Sequence, residues 1–369
     1  MIVVKCIRDG VFMNKKKNFS MENKYTFVDA FKVLFFILII MTGISLLMQI
    51  VLGIVAGATG QDFETIASSD TVTIISSMMS PLIFIVFYFV YNKYKKVSNR
   101  VALSDGQKIS LLPISIALVL AIICVFLFTP FVNLVDYLFL RMGYFVNNDI
   151  PLQSQMTTNG TYFLIGVIIY VILPAISEEL IFRGLILKSL STKLTGFATI
   201  MLSTIMFVLI HGSLNQTIYQ FMVGIMLSYL VYVGGSVTYA IILHMLNNFL
   251  VLLFSCFDIV AYLSAESVIY YNIFSMIFPI SIFLLGVVLV AILFWVLKYL
   301  RNKNFFRYDS RGKKKKVKQS ELVDLNAPEK IKLRNLWSNM NYIEKVFMLS
   351  AFVLVGLIWI INTISGFVS

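Results

Sequence analysis

Charge is what this sequence has least of. Asp, Glu, Lys and Arg make up 13% of its 369 residues, where a soluble domain carries about 25%. A chain that is 59% hydrophobic and repeatedly runs for about 20 apolar residues, the length a bilayer demands, is excluded from the water-soluble classes. Cysteine is as sparse: Cys6, Cys124 and Cys256 are scattered without metal or redox spacing, which excludes a disulfide framework and a thiolate metal site. No internal repeat is evident, so the paired half-domains of many transporters find no support. Histidine occurs twice, at His211 and His244.

What is present is a series of apolar segments at about 33–55, 72–91, 111–135, 161–187, 197–212, 217–233, 237–256, 268–297 and 345–366. They predict an all-α polytopic transmembrane bundle of about nine spans, eight plus a C-terminal extra. Residues 1–32 form a basic N-terminal segment, and 33–110 hold two helices and a basic loop. A core spans 111–297, a second basic segment 298–344, and the last helix lies in 345–369. The first apolar run is too long for a signal-peptide core and reads as a retained anchor.

The basic residues set the orientation. With the N-terminus inside, 28 of the 30 Lys and Arg fall in inner segments, and the exceptions are Arg141 and Arg183. Asp62, Glu64, Asp70, Asp136, Asp149, Asp258 and Glu266 fall outside. The net charge of +12 therefore reads as topology, with attraction to anionic lipid beside the basic segments. No aromatic-interleaved basic fold accompanies it, so nucleic acid is not an expected partner. The stretch "RGKKKKVKQ" reads as a solvated linker against headgroups, with a regulatory or membrane-protein contact as the alternative.

Against this background the stretch Ile176–Gly184, "ISEELIFRG", stands out. A charge at the centre of a membrane helix costs about 2.5–3.5 kcal/mol on insertion scales, and this segment holds Glu178, Glu179 and Arg183. Residues four apart share a helix face, so Glu179 and Arg183 are expected to pair. Glu178, rotated about 100° from Glu179, faces elsewhere. Pro174 removes one helical donor just before the motif. Both histidines also lie in apolar spans: His211 four residues after Phe207, and His244 four residues before Asn248. At 1.5 Å of rise per residue, Glu178, His244 and His211 sit roughly 15, 10 and 21 Å from the inner surface, close enough to share one cavity.

A carboxylate can take a proton from water that a histidine also holds. A second histidine and an asparagine can donate to an oxyanion. Glu178, His211 and His244 are equally a sufficient ligand set for Zn²⁺ with one position left for water. The residues fit both chemistries.

The ordered set Glu178-Glu179-x-x-x-Arg183, Phe207-x-x-x-His211 and His244-x-x-x-Asn248 resembles the three motifs of the CPBP intramembrane protease family. This family, also called Abi, includes CAAX prenyl endopeptidases and bacteriocin-processing or self-immunity proteins. The resemblance covers about residues 111–297. It implies a catalytic Glu178 with His211 activating water, His244 and Asn248 stabilising an oxyanion, and Glu179, Arg183 and Phe207 supporting them. The metalloprotease label of some relatives makes Zn an inherited cofactor expectation. The motifs of other intramembrane proteases are absent: His-Glu-x-x-His, Gly-x-Ser-Gly and Gly-x-Gly-Asp do not occur.

The resemblance implies an endopeptidase cutting a membrane-associated peptide or protein. The alternative is a catalytically silent scaffold that regulates a sensor kinase or cell-wall enzyme, and a proton-coupled transporter stands third. The Lys-, Ile- and Asn-rich composition points to an AT-rich bacterium, hence to the bacterial cell membrane. A propeptide, bacteriocin or pheromone precursor is then a better expected substrate than a prenylated protein.

Overall fold

In a computed structural model, residues 25–97, 103, 110–144, 150–257, 277–302 and 330–368 are described. Cys6, most of the N-terminal basic segment, the outer-loop acids Asp149, Asp258 and Glu266, the start of the eighth predicted span and the lysine run lie outside these residues.

The described residues form nine apolar helices: α1 (Phe27–Thr59), α2 (Asp70–Lys95), α3 (Leu111–Arg141), α4 (Gly160–Leu190), α5 (Gly196–His211), α6 (Leu214–Gly234), α7 (Val237–Phe257), α8 (Ile277–Asn302) and α9 (Tyr342–Val368). Eight are long and apolar enough to cross a membrane. α5, with 16 residues, is the short one. Each of the nine apolar segments of the sequence thus corresponds to a helix, in an all-α polytopic bundle.

The first helix begins six residues before the predicted span, at Phe27. Its start is set by a capping box in which the Thr26 amide and hydroxyl donate to Asp29 at 2.7 and 2.9 Å. Asp29 also receives Tyr91 Oη at 2.7 Å and Lys95 Nζ at 2.8 Å. A buried carboxylate with this many donors is satisfied, so the cluster ties the start of α1 to the end of α2. Hydropathy undercounts such helices because their polar ends are still helical. For the same reason, Asp29, Asp70, Asp136 and Glu344 lie within helices although they fall outside the apolar runs of the sequence.

Two large apolar clusters organise the bundle, with a smaller third around Met156, Val171 and Leu252. One joins α1, α2, α4, α5 and α9 through residues such as Phe31, Tyr88, Phe182, Phe207 and Val355. The other joins α3, α6, α7 and α8 through Leu120, Leu230, Leu243 and Leu297. α4 and α5, on the border between them, carry Glu178, Glu179, Arg183 and His211.

The loop between α4 and α5 is clasped by the segment that leads into α9. Leu194 and Ile331 make an isolated parallel bridge, Lys330 donates to the Thr192 carbonyl at 3.0 Å, and Lys193 pairs with Glu344 at 2.6 Å.

Candidate functional site

In α4 the first half of the motif lies between two π-helical segments, Val167–Ile172 and Leu180–Ile186, and the second half, with Arg183, lies in the latter. Such turns shift the register of a helix face and recur at functional sites. Here they frame Glu178 and Glu179.

Glu179 and Arg183 are fully buried and paired, with Arg183 Nη1 2.8 Å from Glu179 Oε1. The other arm of the guanidinium donates to the Gly224 carbonyl of α6 at 3.2 Å, and its carbon sits 4.5 Å above the Phe207 ring. Gly224 also lets α6 pack closely on α5: a Cβ there would meet Thr204 at 2.9 Å and Phe207 at 3.2 Å.

Glu179 Oε1 also accepts from His244 Nδ1 at 3.0 Å. His211 Nδ1 lies 2.8 Å from the Phe207 carbonyl, which can only accept, so this nitrogen carries the hydrogen. In the neutral imidazoles both hydrogens are therefore held at Nδ1, and each Nε2 presents a lone pair.

Both Nε2 atoms face Glu178. Its Oε2 is 4.0 Å from His211 Nε2 and 3.9 Å from His244 Nε2. This oxygen is buried with no protein hydrogen-bond partner. The spacing is too long for direct hydrogen bonds and suits a bridging water, whose two hydrogens can go to Glu178 Oε2 and to one of the two Nε2 atoms.

The same distances test the zinc expectation. A tetrahedral ion with bonds of about 2.1 Å would hold its ligand atoms about 3.4 Å apart, closer than these are. Among the described residues no three His, Cys, Asp or Glu side chains are arranged to hold a metal ion. The expected ligand set Glu178, His211 and His244 is thus about half an ångström wider than such a centre, and Glu178, whose Oε2 no protein hydrogen bond holds, is the ligand that would have to move.

Asn248 comes to the site by a different route. Pro174 has no amide hydrogen for the Tyr170 carbonyl four residues earlier, and Asn248 Nδ2 donates to that carbonyl at 3.3 Å. Its Oδ1 is 3.4 Å from Asn247 Nδ2, and Asn247 accepts from Tyr219 Oη at 2.6 Å. One amide hydrogen of Asn248 is thus spent on orientation.

A cavity of about 210 Å³ adjoins Glu178 between α2 and α4. Sequence reasoning missed the α2 wall, the Gly224 carbonyl and the Tyr219–Asn247 link. Pro81 was the available signal for α2, since it interrupts an apolar helix as Pro174 does.

Residues 160–250 match the model of a family described as Rce1-like, type II CAAX prenyl endopeptidase. The match spans α4 to α7 and contains Glu178, Glu179, Arg183, Phe207, His211, His244 and Asn248. It leaves α1 to α3, α8 and α9 outside. The resemblance to the CPBP and CAAX protease family therefore rests on the helices that carry the site. No curated protein and no solved structure matches the chain.

Proposed function

We propose that the protein is an intramembrane endopeptidase that hydrolyses a peptide bond of a membrane-associated substrate with water activated by Glu178. The observation that carries this reading is the position of Glu178 Oε2, 4.0 and 3.9 Å from the Nε2 atoms of two imidazoles whose Nδ1 atoms are already engaged.

Water held between Glu178 and His211 gives one proton to the Glu178 carboxylate while its oxygen bonds to the scissile carbonyl carbon. The carbonyl oxygen becomes an oxyanion, which takes the second amide hydrogen of Asn248. His244 joins Asn248 as a donor only as an imidazolium, because its neutral form holds its hydrogen at Nδ1. Glu179 already offsets Arg183 and orients the ring, so the Glu178 carboxylate is the remaining anion that faces such a charge. The C–N bond then breaks, and the proton on Glu178 passes to the leaving amine. No step requires a metal.

The protein is proposed to lie in the bacterial cell membrane with its N-terminus and the segment 298–344 cytoplasmic, near anionic lipid. Its substrate is proposed to be a propeptide, bacteriocin or pheromone precursor.

The scaffold reading draws support from one feature, the clasp of residues 330–344 on the α4–α5 loop, which lies outside the matched family segment and offers a handle for a membrane partner. Glu178→Gln separates the two readings. If the variant accumulates normally and fails to restore a deletion strain, it acts as a peptidase. Full restoration marks a scaffold.

A further inference from the structure

The cavity beside Glu178 is built by two helices, and one of them, α2, lies outside the matched family segment. Ser77, Ser80 and Phe84 come from α2, and Tyr170 and Glu178 from α4. The two walls touch where Ser77 Oγ and Tyr170 Oη lie 3.5 Å apart. Each wall also carries a proline that lines the cavity. Pro81 has no amide hydrogen for the Ser77 carbonyl, and Pro174 has none for the Tyr170 carbonyl. The second of these carbonyls is met by Asn248.

We propose that this cavity is the subsite for one substrate side chain next to the scissile bond, and that α2 sets its selectivity. The proposal rests on the peptidase reading above and adds to it the class of residue accepted: a single uncharged side chain on an unwound stretch of peptide.

The size argues for one side chain. A cavity of about 150 Å³ holds a benzene molecule, so about 210 Å³ has room for one aliphatic or aromatic group. The charge argues for neutrality. Among the described residues, Glu178 is the cavity's one carboxylate, and no Lys, Arg or His lines it. An acidic substrate residue would meet Glu178 as a like charge. A basic one would pair with Glu178 and take the carboxylate away from water.

The lining argues for an unwound segment. A peptide freed from its helix inside a membrane exposes amides that cost several kcal/mol each when unsatisfied. The hydroxyls of Ser77, Ser80 and Tyr170 supply partners at that depth, in a wall otherwise formed by Pro81, Phe84, Ile169 and Pro174.

The test uses full-chain protein in detergent micelles and a proteome-derived peptide library, with cleavage sites read by mass spectrometry. Four proteins are compared: wild type, Glu178→Gln, Ser80→Leu and Phe84→Leu. Wild type is expected to exclude Asp, Glu, Lys and Arg at one position beside the cut. Ser80→Leu fills the cavity and should disfavour large side chains at that position by about tenfold or more, the usual effect of one or two methylenes in a pocket. Phe84→Leu opens it and should move the profile towards larger residues. Wild-type profiles in both variants, or free acceptance of acidic residues, would overturn the subsite while leaving the peptidase intact. Absence of any cleavage that depends on Glu178 would overturn the peptidase reading, and the subsite with it.

Discussion

Glu179 Oε1 serves two partners at once, Arg183 Nη1 at 2.8 Å and His244 Nδ1 at 3.0 Å. One buried oxygen thus joins the ion pair of α4 to the ring orientation of α7. The consequence is that folding and chemistry share a residue, and they separate only in double variants.

Arg183→Ala should lower the amount of folded protein, because breaking a buried pair costs about 3–5 kcal/mol. Adding Glu179→Ala should restore part of that amount. Activity should not return with it, since His244 loses its acceptor. Membrane levels and cleavage measured on the same preparations give both readouts, and equal levels for single and double variants would refute the pairing energetics.

Glu178→Gln should abolish turnover without loss of protein, since Glu178 Oε2 has no protein hydrogen bond to lose. Adding His211→Ala should cost little further activity, because residues that act as a unit are non-additive. Cleavage at matched protein amounts is the measurement.

Asn248→Ala removes one oxyanion donor and should slow cleavage about 10²–10³-fold by analogy with other oxyanion holes, leaving measurable residual activity. Complete inactivity together with loss of protein from the membrane would mean that the Tyr170 carbonyl bond is its main role.

Gly224→Ala should destabilise the bundle by about 1–3 kcal/mol through overpacking, because the added carbon meets Thr204 and Phe207 at 2.9 and 3.2 Å. Thermal unfolding in detergent reads the shift. An unchanged midpoint would show that α5 and α6 yield without cost.

Reporter fusions test the orientation. Fusions within 298–345 should be active as cytoplasmic reporters, and a fusion after Ser369 should be active only outside. A cytoplasmic C-terminus would remove one span from the count.

The sequence by itself determined the helices and the short-range chemistry. Apolar runs of bilayer length leave the backbone one economical solution, to satisfy its hydrogen bonds within each helix, so the bundle was legible from hydropathy alone. The Glu179–Arg183 pair was legible too, because a spacing of four places two side chains on one helix face whatever surrounds them. The motif residues stood out because charge and histidine are so rare in the apolar spans.

Only the tertiary structure decided what those residues face. The contact of Glu179 with His244 spans 65 positions and that of Asn248 with Tyr170 spans 78. No periodicity encodes either, since both depend on how separate helices cross. The tautomers followed from acceptors that the sequence does not display, a backbone carbonyl in one case and a distant carboxylate in the other. The wall that α2 contributes, and the grip of residues 330–344 on the loop between α4 and α5, are of the same kind. They arise from packing between elements whose sequences specify a helix or a loop and are silent about the neighbour.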